Sequence, residues 1–241
     1  MTIGQSANGD GTDSALSWGE LMDLIDETKR RAPYIRSALL SWATVALRDF
    51  PWRRKRTPYS VLIAEFLLKR TTSAAVNRIY EKFLEIYPSI EALLKADVKE
   101  LEEFLKAIGY HRLRAQEIKE AATYIANEFG SEIPKNIDML LSIPNVGPYT
   151  AAAILSLGYS IRASMVDSNV ERIIQRIFRN SMPTRSLSRM TREVANILLP
   201  DEKHDIFNFA ILDLGGVVCT YRKPYCGKCP LDRECDTARS R

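Results

Sequence analysis

From Leu16 onward the apolar residues recur at helical intervals rather than in alternation. Leu21, Leu24 and Ile25 share one helical face, as do Ile79, Phe83 and Ile86, and then Leu101, Phe104, Leu105 and Ile108. β-branched alternation is scarce, so strands are not expected. Breakers at Pro51, Pro58, Pro88, Gly109, 130–134, 144–148, Gly158, Pro183 and Pro200 cut the pattern into roughly ten short helices. An all-α fold follows, with helices packed round a core and ligand sites between them. Residues 1–14 are polar, rich in Gly and Ser and without apolar period; they read as a disordered tail.

Composition narrows this little. Apolar residues make up 46% of the chain, and no apolar run is long enough for a membrane span or a signal segment. A cytoplasmic protein, monomeric and without membrane contact, is expected. The formal charge of +4 and pI near 8.8 suit nucleic acid without requiring it. The basic groups cluster at Arg53 to Arg56, Lys69 with Arg70, Arg112 with Arg114, and Arg222 with Lys223. Interleaved Trp52, Tyr110 and Tyr221 fit a surface that touches phosphates and stacks on bases; an ordinary solvated basic face is the competing reading.

All four cysteines, Cys219, Cys226, Cys229 and Cys235, lie near the C-terminus, with six, two and five residues between them. Two disulfides fit poorly, because nothing points to secretion and a chain of this length needs no staples. Structural zinc usually draws on two close pairs or a Cys/His mix. One close pair flanked by two longer spans favours a bulkier iron–sulfur cube, with zinc left open.

Two further segments carry candidate chemistry. Pro144 ends one short helix and Pro148 is placed to start the next, with Gly147 expected to supply a special turn conformation. Free backbone N–H groups at such a helix start bind phosphate, although a plain helical corner reads the same way. Ser168 and Glu171 are expected to cap a helix whose buried stripe is Val170, Ile173, Ile174 and Ile177. Asp167 then stands just before the cap, either complementing the helix dipole or ionised and able to stabilise an oxocarbenium-like sugar. Glu65 has Val61, Leu62, Leu68 and Lys69 as helical neighbours. Desolvation would make it an acid–base group; an ion pair to Lys69 is the alternative.

The cysteine spacing after Asp213-Leu-Gly-Gly, together with Ile143-Pro-Asn-Val-Gly-Pro-Tyr-Thr-Ala-Ala, resembles the endonuclease III and adenine-glycosylase (MutY) superfamily of helix-hairpin-helix DNA glycosylases. The likeness spans roughly residues 45–236. Asn145 stands where the family's first hairpin glycine usually is. The resemblance implies two helical domains with the active site in the cleft between them. One is a six-helix barrel at 57–165 with the helix-hairpin-helix at 137–158. The other is an iron–sulfur cluster domain from 15–56 together with 166–241.

By the same resemblance a [4Fe-4S] cluster sits on the four cysteines and Asp167 and Glu65 are catalytic. Asn169 matches a polar residue beside the catalytic Asp of the adenine-glycosylase branch. Tyr149 stands where endonuclease III relatives carry the lysine that forms a Schiff base and nicks the strand, so a monofunctional enzyme is implied. Asn145, Val146, Gly147 and Thr150 of the hairpin, Arg70, and Tyr110 or His111 as wedge are the implied contacts to double-stranded DNA. Leu68-Lys-Arg-Thr-Thr72 departs from the Gln-Gln-Thr of adenine glycosylases, and the chain ends six residues after Cys235. Both features bring it nearer the archaeal-type glycosylases of thymine or uracil mispaired with guanine. Adenine excision, a non-catalytic DNA-binding module and a redox protein are the alternatives.

Overall fold

The computed structural model describes residues 18–182 and 187–240; the expected tail at 1–14 lies outside them. The described residues form helices and turns, with no strand among them. α1 (Trp18–Ala46) comes first, followed by α2 (Pro58–Leu68), α3 (Ser73–Asn77), α4 (Tyr80–Ile86) and α5 (Ile90–Lys95). Next are α6 (Val98–Leu105), α7 (His111–Phe129), α8 (Ile137–Ser142) and α9 (Pro148–Ala153), which runs on into a π-helical turn at Ile154–Gly158. α10 (Ser168–Ile177), α11 (Leu187–Leu198), α12 (His204–Val217) and α13 (Asp236–Arg239) complete the order.

Local chemistry sets the helix ends. Pro58 and Pro148 occupy first helical turns, where the missing N–H costs nothing. Thr57 caps α2 by accepting from Ser60 N at 3.1 Å, and Ser60 Oγ accepts from Thr57 N at 2.8 Å. Such a cap contributes about 1 kcal/mol. One element departs from the expected short helices: α1 runs 29 residues straight through Pro33. An interior proline costs about 3 kcal/mol. The face carrying Leu24, Ile35 and Leu39 is fully buried, at about 1.5–3 kcal/mol per side chain, and outweighs that cost.

Two hydrophobic cores form. One gathers α2 to α9 around Phe66, Phe83, Leu101, Ile125 and Leu140. The other gathers α1 and α10 to α12 around Leu39, Ile174, Phe178, Leu198 and Leu214. Leu47 and Leu212 pack against both. The chain passes from the first core at Met165 to the second at Val170, so Asp167 stands on the seam. Glycines permit two close approaches there. A Cβ on Gly158 would lie 2.8 Å from Pro58 Cα, and one on Gly215 would lie 2.6 Å from Asn169 Cβ. The first approach sets α2 against the end of α9; the second sets α12 against α10.

Candidate active site

A cleft of about 610 Å³ opens along the seam. Its lining includes Glu65 from α2, Tyr149 from α9, and Asp167 with Asn169 at the start of α10. Asp167 is itself the cap of α10, correcting the expected Ser168–Glu171 box. Its Oδ1 accepts from Asn169 N and Val170 N, both at 2.9 Å, and its Oδ2 accepts from Asn169 Nδ2 at 2.8 Å. Three N–H donors converging on one carboxylate suit an anion, and they fix its position. Asn169 is held in turn by Arg172, whose Nη2 donates to Asn169 Oδ1 and Gly215 O at 2.9 Å each.

Glu65 behaves differently. No hydrogen bond or ion pair reaches its carboxyl among the described residues. The alternative partner Lys69 turns away, donating to Glu117 Oε2 and Asn145 O at 3.0 Å each. Burial, and secondarily the charge of Asp167, push Glu65 up to about 8, with Lys69 opposing. Glu65 keeps a partly accessible edge toward the cleft, but the protein atoms packed round it make desolvation dominate. Tyr149 is raised well above the usual phenol range by burial, then by Glu65 and Asp167. The two carboxyls and the phenol therefore share one electrostatic neighbourhood, and at neutral pH Glu65 is a protonated acid.

Another part of the lining, and the carboxylate that holds it, was not legible from residue spacing. Asp213 is 0% exposed. It accepts from Arg48 Nε at 2.7 Å and from Arg53 Nη1 and Nη2 at 2.7 and 2.9 Å. Burial alone would raise its carboxyl, but the two arginines hold it below the usual range. Arg48, Arg53, Phe50 and Trp52 line the cleft, with Phe50 stacked on Trp52 at 4.6 Å. This corrects the expected basic DNA surface in two respects. Trp52 is 8% exposed and belongs to the core. Arg53, Arg54 and Arg56 are each paired, to Asp213, Asp49 and Asp205. Arg114 is also buried, donating to Phe66 O and Lys69 O.

The hairpin between α8 and α9 places its left-handed residue at Asn145, φ +66°. Gly147 is extended, φ −96°, so it is not the turn residue that the sequence suggested. Open space surrounds it where a Cβ would be. The N–H groups of Gly147, Tyr149 and Thr150 make no bond among the described residues. Val146 is a correction: its N–H donates to Ile143 O at 3.1 Å and its side chain is buried. Thr150 is buried, 7% exposed. On the rim, Arg70 and Tyr110 both adopt φ +52°, and the guanidinium lies 5.9 Å from the ring centroid. Tyr110 is 58% exposed, and His111 follows it as the first residue of α7.

The four cysteines form no disulfide and line one small cavity. Among the described residues, no His, Cys, Asp or Glu set draws together round a single ion. Burial, with the neighbouring thiols, pushes Cys229 up to about 12, against a backbone donor that lowers it.

A profile of the HhH-GPD superfamily of base excision DNA repair proteins matches residues 63–196. The chain belongs to this superfamily. The matched span holds Glu65, the hairpin and Asp167; the Arg48–Arg53–Asp213 wall and the cysteines fall outside it. Among HhH-GPD relatives, a thymine/uracil-DNA glycosylase of Methanothermobacter thermautotrophicus is 38% identical, covering 86% of this chain and 94% of its own. An adenine DNA glycosylase of Mycolicibacterium smegmatis is 36% identical over 80% of this chain and 66% of its own. The structure of a thermostable thymine-DNA glycosylase superposes with a TM-score of 0.84 at 35% identity, covering 89% of this chain and 99% of that one. An endonuclease III trapped on DNA shares the fold, with a TM-score of 0.74 at 24% identity and 88% and 97% of the two chains covered.

Proposed function

We propose that the protein is a monofunctional DNA N-glycosylase that removes thymine or uracil mispaired with guanine. The observation that carries the reading is the cleft that brings Asp167, clamped by three N–H donors, together with Glu65, whose carboxyl burial raises to about 8. A binding module or a redox protein has no use for that pairing. Thymine or uracil is favoured by the relatives of that specificity, which this chain matches along nearly their full length.

Duplex DNA lies on the hairpin, where the free N–H groups of Gly147, Tyr149 and Thr150 take a phosphate. Asn145 holds the turn. Tyr110, with His111 beside it, fills the gap left as the target nucleotide swings out, a step that costs least at a mispair. Arg70 hydrogen-bonds the orphaned guanine. In the cleft the C1′–N1 bond breaks, and its electron pair leaves with the base. Asp167, oriented by Asn169, stabilises the positive charge that develops on the sugar. Water then forms the new C1′–O bond, and the proton it releases goes to the Glu65 carboxylate left by proton transfer to the base. Glu65 supplies a proton to the departing base. Tyr149 has no amine with which to attack C1′, so the strand stays whole.

The thiol loop fits a [4Fe-4S] cluster on Cys219, Cys226, Cys229 and Cys235. Bound there, the cluster braces the loop that carries Arg222, Lys223 and the 79%-exposed Tyr221. No described helix is long and apolar enough to cross a membrane, and the setting proposed is the cytoplasm, on the nucleoid. The protein acts as a monomer. Adenine excision remains the second reading because adenine departs readily only when protonated, and Glu65 is protonated at neutral pH.

Asp167→Asn tests the mechanism. Single-turnover release from a guanine–thymine duplex should fall at least about a hundredfold with DNA affinity retained. Full base release by that variant would refute the role of Asp167.

A further inference from the structure

Arg176, half-buried on α10, reaches across to the segment that carries the first cysteine. Its Nη1 donates to Cys219 Sγ at 3.2 Å and to Thr220 O at 2.8 Å, and its Nη2 donates to Tyr221 O at 2.8 Å. Its own carbonyl accepts from Thr237 Oγ1 at 2.9 Å, beyond the last cysteine. Arg172, one turn earlier, also reaches Cys219, but at the carbonyl oxygen, 2.9 Å from its Nη2. Only Arg176 among the described cations donates to a cysteine sulfur.

We propose that Arg176 sets the redox stability of the cluster by a charge-assisted hydrogen bond to the Cys219 sulfur. The inference rests on the reading of the four cysteines as cluster ligands. A sulfur bound to iron carries negative charge, and that charge is larger in the reduced state. A fixed cation on the sulfur therefore favours the reduced state and raises the potential at which one electron is lost. No salt bridge to Arg176 competes for its charge among the described residues, so it is directed at the loop. Hydrogen bonds to cluster sulfurs are one of the few means by which a protein shifts such a potential without changing a ligand.

The test is voltammetry of the purified, cluster-loaded full chain on an electrode, which takes up the electron. Arg176→Met should change the oxidised-to-reduced ratio at fixed potential at least tenfold, a downward shift of about 59 mV for one electron. Arg176→Gln keeps a donor without the charge and should also shift downward. Arg176→Lys keeps the charge and should stay near the wild-type potential. If Arg176→Met fails to fold, the Gln and Lys pair decides the matter. Equal shifts in Gln and Lys would indicate mere loosening of the loop and overturn the proposal. An iron–sulfur spectrum with an unmoved potential in every variant would overturn it while leaving the cluster reading intact. A colourless, zinc-loaded wild-type protein would sink the cluster reading and the proposal together.

Discussion

Replacing Glu65 by Gln separates its electrostatics from its shape. The carboxyl is raised from 4.5 to about 8, first by burial and then by Asp167. Below pH about 4.5 both folded and unfolded chains hold the proton, and the raised value costs nothing. Between about 4.5 and 8 the unfolded chain ionises while the folded one does not, so stability is lost as pH rises, at about 1.4 kcal/mol per unit. Above about 8 the penalty is constant, at most about 5 kcal/mol. At pH 7 the same arithmetic gives about 3 kcal/mol, and the partly open edge toward the cleft reduces this to about half. Glu65→Gln removes the penalty. With about 2–4 °C of Tm per kcal/mol at this size, the variant should melt about 3–6 °C above wild type at pH 7. The advantage should widen toward pH 9 and vanish near pH 4.5. Differential scanning fluorimetry across that range is the assay, with wild-type excision expected to decline as pH rises through about 8. A Tm difference that is the same at pH 5 and pH 9 would refute a desolvated Glu65.

Asp213→Asn leaves Arg48 and Arg53 facing each other without their carboxylate, at a cost of about 3–5 kcal/mol read by urea unfolding. Because the Asp213 carboxyl is lowered, wild type should also lose this contribution as pH falls below the ordinary carboxylate range, and Asp213→Asn should not. Tyr149→Lys puts an amine in the neighbourhood of Glu65 and Asp167. Borohydride trapping should then capture a protein–DNA adduct that wild type does not form.

The helical pattern and the breakers made the all-α architecture legible, because buried stripes recur with helical period whatever they pack against. The placement of Asp167 at the start of α10 and the gathering of the four cysteines round one cavity were legible as positions, since each sits in a contiguous segment. The Gly147 turn was misjudged, because Gly147 is extended; Asn145, which stands at the family's first hairpin glycine and is the non-Gly residue best suited to a left-handed conformation, takes the positive φ. The basic run at Arg53 to Arg56 looked like a phosphate surface because sequence does not display partners as distant as Asp205 and Asp213. Glu65 shows the same limit in the other direction. Its neighbour Lys69 suggested an ion pair, and only the packing of α7 and the hairpin diverts that lysine to Glu117 and Asn145.

Base release from defined duplexes tests the proposed chemistry most directly. The full chain is incubated with duplexes containing guanine–thymine, guanine–uracil or adenine–oxoguanine pairs, and strands are resolved before and after alkali. Expected are alkali-labile sites at thymine and uracil opposite guanine, with intact strands before alkali. Labile sites only at adenine would move the assignment to the adenine branch, and no labile site in any duplex would contradict a glycosylase altogether.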